Sequence, residues 1–258
     1  MKIGLRILAA LGFLALVVLG IVWLRQPGLI RAYAIGWSDF EEVSPGIYVS
    51  PHTPDAKIDS LLLLVSQARQ RNALFWGENK AHPPIIYCHT AQEVKNYAAV
   101  PTQRGVTAAF FFTPIFSYVQ VGPPGLHSEV LAHELCHPEL FVRTGWYHHE
   151  FNLPVWFFEG LAMQLDHREG YSERRFQKLV QSEEGLPELS EIGDWPGFFG
   201  GEAFVNYTVA RHEVGRWLDV VGKDGLFRLI DGLDDMEDFE SLYRAIEEEA
   251  EAALEAGR

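Results

Sequence analysis

Basic residues are scarce in this chain. Lysine and arginine number 21 against 35 aspartates and glutamates in 258 residues, a formal net charge of −14 at pH 7. Nucleic-acid binding needs clustered Lys and Arg against phosphate, so that class of partner is excluded. The acidic run Glu247-Glu248-Glu249 reads as a solvated helix face. Cysteine is nearly absent, with only Cys88 and Cys136. Two thiols allow one disulfide in an oxidising compartment, but Cys136 equally reads as a small buried side chain. Internal repeats and low-complexity tracts are missing too, which leaves an ordinary packed core as the expected organisation.

Long hydrophobic runs are limited to one. Ile7 to Leu24 is apolar throughout, and as a helix it spans about 27 Å, enough for a bilayer core. Lys2 and Arg6 precede it, and Trp23 and Arg25 lie at its far end. No A-x-A-like cleavage pattern follows, so the run reads as an uncleaved signal anchor rather than a signal peptide. The charge bias places the amino terminus in the cytoplasm and the rest of the chain on the extracytoplasmic side. The expected organisation is a cytoplasmic n-region (1–6), a transmembrane anchor in the lipid bilayer (7–24), a juxtamembrane linker (25–40) and a single folded domain (41–258).

The most informative segment is His133-Glu134-Leu135-Cys136-His137. On a helix, histidines at i and i+4 share one face, at the separation where two ring nitrogens converge on one Zn²⁺. Glu134 lies about 100° around the same helix, within reach of a water but not of the ligand position. Ser128, after the turn Gly122-Pro123-Pro124-Gly125, is the expected N-cap. A catalytic zinc needs a third protein ligand and an open position. Downstream, Asn152-Leu153-Pro154-Val155-Trp156-Phe157-Phe158-Glu159-Gly160-Leu161-Ala162 places one carboxylate, Glu159, in an aromatic helix. Pro154 suits its first turn and Asn152 its cap. A carboxylate in those surroundings has to be paired or bind metal. Gly160 beside it costs about 1 kcal/mol of helix propensity, which a close approach by a neighbouring helix would explain, and the motif helix is the expected neighbour.

HELCH, followed 22 positions after His137 by the glutamate of LPVWFFEGLA, resembles the gluzincin metallopeptidases, specifically peptidase MA-like families with an LPxWxxEGLA segment. The resemblance covers roughly residues 84 to 232. It implies zinc held by His133, His137 and Glu159, with Glu134 as general base and acid. The stretch Ala203 to His212 is similar to the helix after the ligand region in those families. By that match Tyr207 is the expected oxyanion donor, with Arg211 and His212 behind it. Two departures stand out. Pro138 directly follows the second histidine and is expected to kink or end the helix. Met163 stands where thermolysin-like relatives carry a carboxylate that orients a ligand histidine, so Asp166 or Glu139 is the expected substitute.

The remaining histidines read as structural or exposed. His148 and His149 fall in an expected connection at the cleft rim, His127 near the start of the motif helix, and His89 at the end of an apolar strand. The sequon Asn206-Tyr207-Thr208 falls inside an expected helix and is discounted as a glycosylation site.

Periodicity predicts strands at 46–50, 84–89, 106–113 and 118–121, helices at 58–72 and 91–99, and helices after the motif. Strands first and helices later is an α+β order. The resemblance implies a zincin-like catalytic domain behind the transmembrane helix, with Tyr118-Val119-Gln120-Val121 as the edge strand that pairs with an extended substrate. The expected activity is zinc-dependent hydrolysis of a peptide or protein substrate, endopeptidase rather than aminopeptidase. The alternatives are a non-catalytic membrane-tethered binding module on the same fold, and a zinc hydrolase of a non-peptide amide.

Overall fold

A computed structural model describes residues 20, 25–99, 108–182, 185–234 and 238–256. These divide into two compact units. One takes the described residues of Met1–Ser60, Pro83–Phe112 and Phe116–Leu126, the other those of Leu61–His82, Thr113–Ile115 and His127–Arg258.

The first unit holds a mixed five-stranded sheet of order β1-β2-β3-β5-β4, with β1 Glu41–Ser44, β2 Ile47–Val49, β3 Ile85–Tyr87, β4 Ala108–Phe112 and β5 Ser117–Val121. β2, β3 and β5 run parallel, Ile47 opposite Ile85 and Ile85 opposite Val119. The outer strands are antiparallel to their neighbours, with Phe110 opposite Val119 on one side and Glu41 opposite Val49 on the other. All three residues of β3 are buried, as a strand with parallel partners on both sides demands. Helices α1 (Pro27–Tyr33) and α3 (Ala91–Tyr97) complete the unit. Ala32, Ile35, Ile86, Cys88, Val94, Tyr97 and Tyr118 form its buried cluster. Buried polar groups are matched across it: the Tyr118 hydroxyl donates to the Tyr97 carbonyl at 2.6 Å, and Gln120 Nε2 to the Val94 carbonyl at 2.7 Å. Cys88 is a free thiol in this cluster, its pKa pushed up to about 12 by burial.

Tyr118–Val121 is not an edge strand. β5 is paired on both sides, by β3 and β4, and β4 stands at the edge of the described sheet. The turn through Pro114 folds β4 and β5 into a hairpin, and β5 takes the interior place because β3 pairs with it in parallel. Chain order alone does not fix that choice. The stretch 25–40, read as a linker, carries α1, whose Arg31 Nη1 donates to the Asn96 carbonyl at 2.8 Å and whose Ala32 is buried. Among the described residues no helix is long and apolar enough to cross a membrane. The run 7–24 lies, but for residue 20, outside them.

The second unit is helical. It contains most of α2 (Asp55–Trp76), then α4 (Ser128–Phe151), α5 (Val155–Ala162), α6 (Glu173–Val180), α7 (Trp195–Phe199), α8 (Ala203–Asp234) and α9 (Phe239–Ala256). Its core is strongly aromatic: Trp217 stacks on Tyr243 at 4.6 Å, and Phe157 meets Phe239 at 5.0 Å. Pro138 neither ends nor breaks α4. The residues from Val130 to Leu140 are all buried, and that packing outweighs the loss of one backbone donor. The break comes seven residues later at Gly145, with φ 72° and ψ 163°, a conformation that glycine reaches without a Cβ penalty.

Candidate metal centre

The centre is built by α4 and α5. The N-cap of α4 is His127, not Ser128; its Nδ1 accepts from the Glu129 backbone N–H at 3.2 Å. Glu129 is clasped by the Arg71 guanidinium on α2 and accepts from the His167 N–H at 2.9 Å, which fixes the start of α4 against the rest of the unit. α5 starts differently from expectation too. Pro154 is its N-cap, the Val155 N–H goes to the Gly193 carbonyl at 2.8 Å, and Asn152 instead closes the end of α4. All eight residues of α5 are buried. A Cβ on Gly160 would lie 2.4 Å from the Ala210 carbonyl oxygen of α8. The glycine after Glu159 is thus what lets α8 approach the ligand helix.

This packing brings His133, His137 and Glu159 together, all buried, with one ligand atom from each within 4.8 Å of the others. His133 Nε2 is 3.2 Å from His137 Nε2 and 3.2 Å from Glu159 Oε2, and His137 Nε2 is 3.7 Å from the same oxygen. A circle through three atoms so spaced has a radius of about 2.0 Å, so their spacing fits a single ion bonded at about 2.0–2.1 Å. Two imidazoles and one carboxylate, with a second carboxylate at Glu134 beside them, are a donor set suited to a divalent cation. The three residues can hold a metal ion.

Electrostatics agree with that donor set. Burial opposes a cation at His133, but the Glu159 hydrogen bond and the charges of Glu159, Glu134 and Asp166 outweigh it and raise the pKa. His137 is driven well below the ordinary histidine range, first by burial, then by His133 and His149. It is a neutral nitrogen donor as it stands. Glu134 is buried on the motif helix, close enough for its charge to act on both His133 and Tyr207.

Tyr207 projects from α8 toward the same centre. Its ring lies 6.0 Å from that of His133 and packs edge-on against Phe198 at 5.0 Å. Burial first, then the charges of Glu159 and Glu134 and a hydrogen bond to Glu159, raise its pKa well above 10. The hydroxyl therefore keeps its proton and can donate it in a hydrogen bond. His212 is not part of the centre: its Nδ1 pairs with Glu173 at 2.8 Å and its ring stacks on Phe176 at 3.6 Å.

Of the two acids expected behind the ligands, Asp166 acts on His133. It is fully buried, gripped through both carboxylate oxygens by Arg168, and its charge helps to raise the His133 pKa. It acts by charge, since His133 Nδ1 has no hydrogen-bond acceptor among the described residues. Glu139 faces elsewhere, accepting from the backbone of Lys80 and Ala81 at 3.0 Å each and from Arg143. Met163 closes α5, its N–H bonded to the Glu159 carbonyl at 2.9 Å.

His148 and His149 lie in the last turn of α4 and are buried, not on a connecting loop. His148 Nδ1 meets Asn152 Nδ2 at 3.0 Å. His149 lies between Phe141 and Phe158, and burial lowers its pKa to about 4. His89 follows β3, its ring 6.4 Å from that of Tyr87. Asn206 is buried in α8 with its amide on the Phe198 carbonyl at 2.7 Å, so the sequon is inaccessible to glycosylation. Cys136 is a free thiol on α4, its pKa raised by burial. The ring wall that sequence reading missed, Phe158 against His137 at 5.0 Å and Tyr171 against Tyr207 at 5.9 Å, had no signal beyond aromatic richness around the motifs. Comparison with protein-family models and with curated proteins found no match for this chain.

Proposed function

We propose that the protein is a zinc-dependent peptidase of the gluzincin type with a zincin-like catalytic domain, tethered to a membrane by residues 7–24 and acting on the extracytoplasmic side. The observation that carries this reading is the triangle of His133 Nε2, His137 Nε2 and Glu159 Oε2, with sides of 3.2, 3.2 and 3.7 Å and Glu134 next to it on the same helix. A binding module has no use for that second carboxylate, whereas a hydrolase needs a base there. Held by His133, His137 and Glu159, zinc would supply Lewis acidity toward a carbonyl oxygen and would lower the pKa of a water to about 7.

The chain's own residues do the rest. Neutral His137 is a nitrogen donor as it stands, Glu159 offers a carboxylate oxygen, and His133 would yield any proton on its Nε2 to a bound cation. Glu134 accepts a proton from the attacking water and passes it to the leaving amine. Tyr207, protonated throughout the physiological range, donates a hydrogen bond to the oxygen on which negative charge develops. The ring wall of Phe158, Phe198 and Tyr171 keeps the centre dry and strengthens each of these interactions.

The test is a peptide-library cleavage assay with matched metal analysis on the full chain and on Glu134→Gln. The expected result is cleavage by the unaltered chain, a loss of at least about 10²–10⁴-fold in the variant, and the same metal content in both. Unchanged cleavage by Glu134→Gln refutes the mechanism. A metal-loaded unaltered chain inert toward every peptide points to the binding module or to a non-peptide amide substrate.

A further inference from the structure

A second site lies along α8. Gln164, Tyr171, Phe176, Thr208, Arg211 and His212 line a cavity of about 530 Å³. The basic groups at its wall differ in how they are used. His212 is paired with Glu173, and Arg216 with Glu213 and Glu247. Arg211 has no ion pair and no side-chain hydrogen bond among the described residues, and its Nη1 is buried without an acceptor. The acids whose charge reaches it are engaged elsewhere: Asp166 with Arg168, Glu169 with the Ser172 hydroxyl, Glu173 with His212 and Gln177. Asp219, the other acid lining the cavity, is exposed to solvent.

In a chain of net charge −14, a half-buried guanidinium without a counter-ion is out of character. An unmet charged donor costs more than a neutral one, and such a group is kept where an acceptor comes from outside. We propose that this cavity binds a carboxylate-bearing ligand through Arg211. The guanidinium is a planar fork that matches a carboxylate in two parallel hydrogen bonds. The stacked pair Phe176–His212 and the ring of Tyr171 give the ligand's apolar part a flat wall.

The cavity's position names the ligand class. Tyr171 lines it and touches Tyr207 at 5.9 Å, and Tyr207 lies 6.0 Å from His133. Arg211 sits one helical turn beyond Tyr207, about 6 Å along the axis. A peptide at the metal centre, advancing about 3.5 Å per residue, brings a carboxylate to Arg211 within a few residues. This assignment rests on the peptidase reading. The carboxylate is either the peptide's free C-terminus or an acidic side chain.

Calorimetric titration of the full chain with blocked tripeptides tests it. One pair is acetyl-Ala-Ala-Phe with a free or an amidated C-terminus; the other is amidated acetyl-Ala-Glu-Ala against its Gln counterpart. At least one charged peptide should bind about tenfold or more tightly than its neutral partner. That difference should vanish in Arg211→Gln, and it should also fall in Gly215→Leu, which fills the cavity while leaving Arg211 in place. The pair that shows the difference identifies the source of the carboxylate. No charge preference in the unaltered chain overturns the proposal, and this arm needs no variant to fold. A preference that survives in Arg211→Gln also overturns it, because the carboxylate is then held at the metal centre. Binding is read without turnover, so a chain that cleaves nothing but prefers carboxylates through Arg211 refutes the peptidase reading alone.

Discussion

Tyr207 shows how much a single side chain's role depends on what surrounds it. On sequence it is one tyrosine on a helix; in the fold the charges of Glu159 and Glu134 act on its hydroxyl and its ring lies against His133. In the proposed mechanism a phenol held protonated there donates to a developing oxyanion, so Tyr207→Phe should lower kcat by about 10²–10³-fold with little change in KM. Metal content should be unchanged, and steady-state kinetics with metal analysis checks both. A kcat within about twofold of the unaltered chain contradicts the role. The cluster of His133, His137 and Glu159 was legible in the sequence because helical spacing alone places the two histidines on one face, and because Glu159 is a carboxylate in a helix that has to be buried. Sequence named both Asp166 and Glu139 for the place behind His133 without deciding between them, and the unpartnered Arg211 was not legible. Each depends on which distant residue the packing brings near, and neither spacing nor composition encodes that.

At the scale of elements, the meeting of α5 with α8 decides whether the centre exists. Gly160 has the Ala210 carbonyl where a side chain would go, so Gly160→Ala gains helix propensity and loses packing. The overpacking dominates, and urea unfolding should show a net loss of about 1–3 kcal/mol with weakened metal binding. A variant as stable as the parent would show that the close approach is not needed. A close approach was foreseen from a glycine in an aromatic helix, though with the motif helix as the neighbour where the structure has α8, and most strands and early helices followed from periodicity. The misreadings have physical causes of their own. Pro138 was expected to break α4, but uninterrupted burial from Val130 to Leu140 overrides a lost backbone donor, and the break falls at Gly145 with its positive φ. β5 was expected at the sheet edge, yet strand order depends on long-range pairing that alternation along one strand does not report.

For the whole molecule, acid stability and metal binding are the properties that integrate these contacts. Glu129 joins α2, α4 and the segment after α5, and the Arg71 hydrogen bond is the largest cause of its pKa falling to about 2 from 4.5. A carboxyl depressed by folding stabilises the fold above its unfolded pKa. That contribution is complete above about pH 4.5 and fades as pH drops toward 2. Glu129→Gln should cost about 2 kcal/mol at pH 7 and almost nothing near pH 2, read from denaturant midpoints across that range. An equal cost at both ends would assign the loss to shape rather than charge. The central claim concerns the metal, and X-ray absorption at the zinc edge on the purified full chain tests it most directly. The account predicts one zinc per chain with two nitrogen ligands and oxygen donors at about 2.0–2.2 Å, and a weakened or altered signal in Glu159→Ala. A chain without zinc, or zinc bound by sulfur at about 2.3 Å, would contradict it.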